Sequence, residues 1–371
     1  MKIALAIFKY FPHGGLQRDF MRIAKELLKR GHEVTVFTRS FEGDCPEGLK
    51  VEYLKVKSLT NHGKGAEFGK LFNKAAAGFD VKFAFNRIPG AEFYFAADNC
   101  IMSEALNSYP EWFLKVSPRH RAILAQERSV MAEGSGTKIF YIAEKQKKDF
   151  QKFYRTEEER FFYLPPGLNE SCFRAEDAEV RRQKKRAALA LADDEILLVL
   201  VGSFFEGKGA DRLLTAVAAL PSHLKARCRV AIVGSMPRKP CEKLCHRLGV
   251  PLTSLIMPGA TEDVPDWLLA ADLMVHPARK EAAGSVIVEA LAAGLPVIAS
   301  SECGFAPFAA EAGGCALSFP FDQSELNRTL EGFLEGEKLA QLKKDAIAYG
   351  AKADFRRRAS AAVDVLEQFH V

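Results

Sequence analysis

No stretch of this chain stays apolar for the ~18–20 residues that a membrane-crossing helix requires, so no segment reads as a span. The opening Met1–Phe8 is too short for the apolar core of a secretory signal and carries no cleavage site. It reads instead as a first buried strand, and the chain is expected in the cytosol. Its eight cysteines lack framework spacing, which fits reduced thiols rather than disulfides. Cys241, Cys245 and His246 place two thiols on one helix face, but no second pair follows to complete four ligands. Buried thiols are the better account. Helix-turn-helix, RNP and zinc-finger signatures are all missing, which argues against nucleic acid as a partner. Neither glycine-rich turn spells G-x-G-x-x-G, which disfavours a nicotinamide dehydrogenase.

What is present is a globular composition: 371 residues, 27% charged and 48% hydrophobic. That length exceeds one core and suits two domains. The net charge of +5 is unevenly spread. Residues 1–165 hold 27 Lys and Arg against 20 Asp and Glu, whereas the remainder holds 25 against 27. A basic first half favours anionic partners such as a phosphorylated glycolipid or a membrane surface.

Short apolar runs alternate with helical patterns twice over. In the first half, strands are expected at Ile3–Phe8, Glu33–Thr38, Val81–Asn86, Glu92–Ala96, Lys138–Ala143 and Phe161–Leu164. Helices are expected at Gln17–Arg30, closed by Gly31, and at Lys145–Tyr154. Pro165-Pro166-Gly167 then reads as a rigid turn and a hinge. In the second half the strands are Ile196–Val201, Arg229–Val233, Ser254–Met257, Leu273–His276 and Pro296–Ser300. Between and before them lie helices at Glu179–Leu191, Asp211–Leu220, Pro240–Leu248, Val264–Ala270 and Ser285–Ala293. This alternation predicts an α/β chain of two Rossmann-like, doubly wound domains facing a cleft.

The segment with the most chemistry is Glu281-Ala-Ala283-Gly284-Ser285, followed by Glu289 and Gly294-Leu-Pro296. Two carboxylates stand eight residues apart, with small residues between them at a helix start. Free N–H groups and the helix dipole favour an anion there. Ionised carboxylates only accept hydrogen bonds, so they suit the hydroxyls of a sugar and a ribose. A nucleotide sugar satisfies both demands.

Glu281…Glu289 resembles the E-x7-E motif of retaining family 4 glycosyltransferases of the GT-B fold. Ala271-Asp272-Leu-Met-Val-His276-Pro277 and Ala292-Ala-Gly-Leu-Pro-Val297 match the same family. Lys9–Pro12, Gly14–Ala24, Asn61-His62-Gly63, Tyr94–Asp98 and Pro165-Pro166-Gly167 are similar to the branch that adds a hexose, glucose before others, to a heptose of the lipopolysaccharide inner core. The resemblance implies a GT-B fold, a UDP-hexose as co-substrate with no cofactor, and a phosphorylated lipopolysaccharide inner core as acceptor. It implies an acceptor domain at 1–166, completed by a crossover helix within 354–371, and a nucleotide-sugar domain at 167–353. Glu281 would then contact the transferred sugar and Glu289 the ribose. The backbone around Asp263 and Val264 would read the uracil. Family members are read as front-face enzymes, in which the departing diphosphate takes the acceptor proton. No D-x-D metal motif appears, so metal independence is expected.

Further candidates gather around these motifs. Gly202-Ser203-Phe-Phe-Glu-Gly207-Lys208-Gly209 follows a strand and opens a helix, as a phosphate-holding turn does. Relatives usually carry Arg at the position of Ser203, and Arg212 is the candidate replacement. Gly14 and Gly15 allow close backbone approach. Asp19 would complement a helix start or, by resemblance, orient the acceptor hydroxyl. Asp98 at a strand end competes with it for that role. His276 ends a strand beside the site and reads as structural.

Residues 103–133 break the rhythm with Tyr109, Pro110, Trp112, Phe113 and Leu114 among Lys115, Arg119, His120, Arg121 and Arg128. Interleaved aromatics and cations describe a segment for the anionic inner leaflet, and so a peripheral protein on the cytoplasmic face. The competing readings are an N-acetylhexosamine donor, a UDP-sugar epimerase and a non-catalytic UDP-sugar-binding subunit.

Overall fold

The computed structural model describes residues 1–12 and 14–370. The Asn61 side chain, part of one segment quoted above, and Val371, the end of the expected crossover segment, lie outside the described residues. The chain divides into two compact units, Met1–Gly167 with Arg356–Val371, and Leu168–Phe355. The division departs by one or two residues from the expected 166/167 and 353/354. Gly167 stays with the first unit because its carbonyl accepts from Arg22. Phe355 stays with the second because it is buried against Phe308 and Tyr349.

Unit 1 runs β1 (Lys2–Ala6), β2 (Lys9–Tyr10), α1 (Gly15–Lys29), β3 (Glu33–Thr38), β4 (Ser40–Phe41), β5 (Lys50–Tyr53) and α2 (Asn61–Ala75). It continues β6 (Val81–Ala84), β7 (Phe93–Ala96), α3 (Ile101–Ser108), α4 (Glu111–Val116), α5 (Pro118–Met131), β8 (Lys138–Tyr141), α6 (Glu144–Tyr154) and β9 (Phe161–Tyr163). Among the described residues, a seven-stranded parallel sheet has the order β5-β3-β1-β6-β7-β8-β9. Counted within that sheet the order is 3-2-1-4-5-6-7, the doubly wound arrangement. Ile3 to Ala6 are wholly buried, as a central parallel strand covered on both faces requires. Helix α1 stops where Gly31 takes φ +83° and His32 N–H reaches back to the Leu27 carbonyl.

Unit 2 runs α7 (Ala178–Ala188), β10 (Ile196–Val201), α8 (Ala210–Ala219), α9 (Ser222–Arg227), β11 (Cys228–Val233), α10 (Arg238–Leu248), β12 (Leu255–Gly259) and α11 (Val264–Ala270). It closes with β13 (Leu273–His276), α12 (Ser285–Ala292), β14 (Val297–Ser300), α13 (Ala306–Glu311), β15 (Cys315–Leu317), α14 (Gln323–Leu334) and α15 (Lys338–Lys352). Its six described strands follow the order β12-β11-β10-β13-β14-β15, again 3-2-1-4-5-6. Leu198, Leu200, Val230, Ile232 and Val275 pack into one core with α8, α10 and α14.

Helix α16 (Arg358–Gln368) returns to unit 1 and lies on α1. Arg30 at the end of α1 reaches Asp364 and Glu367 at 2.7 Å each, and His32 Nε2 lies 2.9 Å from Glu367. Deeper in, Arg358 Nη1 donates to Asp19 Oδ2 at 2.6 Å while its Nε donates to the Pro165 carbonyl.

Candidate active site

In unit 2 the carboxyl ends of three adjacent strands, β10, β11 and β12, are bare of side chains. Gly202 follows β10, Gly234 follows β11 and Gly259 ends β12. Gly202 N–H bonds the Val233 carbonyl and Gly234 N–H the Gly259 carbonyl, at 2.8 and 2.9 Å. A Cβ on Gly234, at φ +133°, would lie 2.2 Å from the Gly202 carbonyl oxygen. Only glycine permits that approach. Carboxyl ends of strands in open α/β sheets are where ligands bind.

From this edge springs the 202–209 turn. Gly209 takes φ +73° to start α8, and a Cβ there would fall 2.1 Å from the Pro277 carbonyl oxygen. Arg279 holds the turn from the other side: its N–H reaches the Gly207 carbonyl at 2.9 Å and its guanidinium the Glu206 carbonyl at 2.7 Å. The same guanidinium makes a two-toothed pair with Asp211 at 2.7 and 2.6 Å. Arg279 has no place among the motif positions read above. Its signal, a cation two residues before Glu281, is too common in sequence to stand out.

The turn delivers Lys208 to Glu281. The ammonium contacts Oε2 directly, with the two side chains 26% and 19% exposed. Burial alone would raise the Glu281 pKa, but the facing His276 ring and the Lys208 ammonium outweigh it and hold the carboxyl at about 2. Glu281 is therefore an ionised acceptor throughout the neutral range. Gly284, at φ +80°, then turns the chain into α12, and no side chain caps that helix's first turn. Ala283 is buried, and its carbonyl accepts from Phe305 N–H at 2.7 Å. Ser285 opens the helix and Glu289, half-buried, sits one turn in. Lys208, Glu281 and the start of α12 are thus assembled around one point.

Other expected residues are placed elsewhere or differently. Ser203 is exposed on the turn. Arg212 donates to the Pro277 and Ala278 carbonyls at 3.0 and 3.3 Å and lies 3.6 Å over the Phe321 ring. These contacts tie α8 to the end of β13, so this guanidinium is a brace and not a spare cation. Asp263 precedes α11, with Val264 its first helical residue. The Asp263 carboxylate accepts from Lys185 at 2.6 Å and from the Thr261 hydroxyl.

In unit 1, Gly14 caps α1 and Gly15 begins it with open space around it. Asp19 is buried and takes Arg22 at 3.2 Å beside Arg358. Oδ2 ties α16 to α1 through Arg358, and Oδ1 holds Arg22 within α1. Gly167 fits because a Cβ there would lie 2.6 Å from Arg358 Cβ, and Pro166 beside it is buried. Asp98 follows the carboxyl end of β7 and is exposed. Its own carbonyl, with that of Ala96, is held by the buried Gln146 amide at 3.0 Å.

The 103–133 segment folds as α3, α4 and α5. Trp112, Val116 and Tyr109 are 65%, 61% and 44% exposed. Tyr109 stacks on Phe113 at 5.2 Å, and His120 meets both rings edge-on. A cavity of about 660 Å³ opens beside them, lined by Leu106, Leu114, Leu124 and Phe153 with Arg121 and Arg128. Beneath it, the wholly buried Glu127 accepts the Ile101 and Met102 N–H groups and the Tyr154 hydroxyl. Sequence reading missed this anchor of α3 on α5. No helix of the described residues is long and apolar enough to cross a membrane.

Residues 181–353 match the family described as glycosyl transferases group 1. The lipopolysaccharide glucosyltransferase WaaG of Escherichia coli (strain K12) is 40% identical over 336 residues, 89% of this chain and 88% of its own. A crystal structure of WaaG, a glycosyltransferase involved in lipopolysaccharide biosynthesis, matches with a TM-score of 0.85 at 37% identity. The match covers 98% of this chain and 99% of the other. An Anabaena protein, HepE, in complex with UDP-glucose, shares the fold alone. Its TM-score is 0.72 at 19% identity, over 100% of this chain and 99% of its own.

Proposed function

This chain belongs to the group 1 glycosyl transferases of the GT-B fold, and from that premise we propose that it is a retaining transferase acting in lipopolysaccharide core synthesis. It moves a hexose, glucose before others, from a UDP-sugar to an inner-core heptose. The assembly of Lys208, Glu281 and the uncapped start of α12 carries this reading. It offers a point charge and backbone donors to a diphosphate and an acceptor-only group to sugar hydroxyls. The relative named for lipopolysaccharide glucosyl transfer supports the acceptor class and the choice of glucose.

In the proposed reaction the diphosphate draws Lys208 from Glu281, freeing both groups for the donor. The acceptor hydroxyl attacks the anomeric carbon from the face that the leaving group vacates. Its oxygen forms the new bond, the bond from the anomeric carbon to the phosphate oxygen breaks, and the proton passes to the departing diphosphate. Catalysis is positioning plus stabilisation of the leaving charge. With Lys208 and the helix start meeting that charge, the reaction proceeds without a metal ion. Asp98, exposed beyond β7, assists the acceptor hydroxyl in preference to Asp19, whose oxygens are held by Arg22 and Arg358.

The exposed Trp112, Tyr109 and Val116 among Arg119, Arg121 and Arg128 seat the protein peripherally on an anionic cytoplasmic leaflet. A donor panel in EDTA tests the whole reading, using UDP-glucose, UDP-galactose, UDP-GlcNAc and UDP-GalNAc with truncated lipopolysaccharide. Turnover of one hexose donor is the expected result. UDP binding without transfer to any heptose acceptor overturns it.

A further inference from the structure

His276 ends β13, beside Ala299 of β14, and none of its side chain reaches solvent. Neither ring nitrogen has a hydrogen-bond partner among the described residues. A buried imidazole that only filled space would leave two polar atoms stranded where an aliphatic side chain would strand none. The ring is nevertheless aimed: Nε2 stands 3.6 Å from Glu281 Oε2, the oxygen that Lys208 holds. A hydrogen bond of this kind closes at about 2.9 Å, so the pair is one small side-chain adjustment short of contact.

We propose that His276 is a positioning residue for Glu281, taking over that carboxylate through an Nε2–H donor when the donor's diphosphate draws Lys208 away. This inference rests on the assignment of Glu281 and Lys208 to the donor sugar and diphosphate. With Lys208 bound to Glu281, Oε2 is already satisfied and the imidazole waits. Once the ammonium turns to phosphate, Glu281 would face the sugar as a half-buried carboxylate with no internal donor and free to rotate. The N–H of His276 then fixes Oε2 and leaves Oε1 to accept from a sugar hydroxyl.

The groups facing the ring fit a neutral donor. Lys208 and Glu281 meet it from the turn and from the loop before α12, and burial lowers the His276 pKa. A neutral imidazole carries one N–H, and only the Nε2 tautomer points it at Glu281. The hydrogen bond thus holds the carboxylate without adding a second positive charge. Cys303 lies close by, its Sγ 3.7 Å from the Ser300 hydroxyl and its thiol pushed up to about 12 by burial. It stays neutral and does not compete for Glu281.

Two measurements test this. The first needs no donor: 15N-histidine spectra of the wild-type protein and of Lys208→Met report the tautomer directly. The expected result is a shift of His276 toward a hydrogen-bonded Nε2–H in Lys208→Met. An unchanged His276 signal overturns the proposal, whatever the protein's substrate. The second compares His276→Leu, which keeps volume without a donor, with His276→Gln, whose amide can reach the Nε2 position. Leu is expected to lower kcat/KM for the UDP-hexose by about 10- to 100-fold, with UDP affinity unchanged because UDP lacks the transferred hexose that Glu281 would hold. Gln is expected to recover most of the loss. Equal losses in Leu and Gln, or a parallel fall in UDP affinity, mark a merely structural histidine. Wild-type protein that turns over no UDP-sugar defeats the donor assignment, and the spectra still decide the His276–Glu281 contact.

Discussion

Lys208 and Glu281, 73 residues apart in sequence, are ion-paired at the carboxyl edge of the second sheet. Each neutralises the other, so the resting site carries neither a stranded cation nor a stranded carboxylate. The first prediction follows from their different ligands. Lys208→Met weakens UDP as well as UDP-hexose, by about 10-fold or more, since a charged hydrogen bond to phosphate contributes roughly 1.5–3 kcal/mol. Glu281→Gln leaves UDP binding near wild type and removes turnover. Calorimetry with UDP and with the intact donor separates the two. Equal loss of UDP affinity in both variants would contradict the division of labour.

The ion pair also sets a pH dependence. The Glu281 pKa is depressed from 4.5 to about 2. A depressed carboxyl contributes stability that is complete above its unfolded pKa and is lost as pH falls through the folded value. Wild-type protein should therefore lose stability between about pH 4.5 and 2 more steeply than Glu281→Gln. Urea midpoints for both across that range make the comparison. Parallel curves would mean that the pair adds nothing to the folded state.

Gly209 joins fold and site in one residue. Its φ of +73° and the Pro277 carbonyl, 2.1 Å from a would-be Cβ, forbid any side chain without movement. Gly209→Ala should cost about 1–2 kcal/mol from the left-handed backbone alone, with the clash on top. The shift would displace Lys208, its neighbour, so UDP affinity should fall with the unfolding midpoint. A stable variant with intact UDP binding would show that the turn adapts.

Much of this was legible in sequence because parallel strands buried on both faces are continuous apolar runs. Ile196–Val201, Glu33–Thr38 and Leu273–His276 match their expected bounds for that reason. Strand β5 went unread because it is a largely exposed edge strand, so Lys50–Tyr53 shows no buried run. Helix α2 went unread because Gly63, Gly65 and Gly69 weaken the helical pattern. Glu281 and Lys208 stand out in the sequence through their motifs, and the fold brings the two together. What those motifs could not give was who holds whom. The commitment of Asp19 to Arg358 joins residues 339 apart, and the bracing of Arg212 on Pro277 and Ala278 spans 65 and 66. Such pairings are set by tertiary packing and leave no local trace.

The surface of α4 and α5 yields a prediction about place. Trp112 is 65% exposed, and Lys115, Arg119, Arg121 and Arg128 are exposed with it. Each cation near an anionic leaflet adds about 1 kcal/mol, an attraction that decays within a Debye length. Binding to vesicles of mixed neutral and anionic lipid should therefore fall steeply with added salt and vanish on purely neutral vesicles. Trp112→Ser should weaken binding at every salt concentration without changing its slope, since it removes buried apolar area and no charge. Replacing Arg119 and Arg121 with Gln should flatten the slope instead. Neither change touches Lys208 or Glu281, so turnover of UDP-hexose with a detergent-dispersed acceptor should persist. Binding that ignores both salt and lipid charge would place the protein's membrane contact elsewhere.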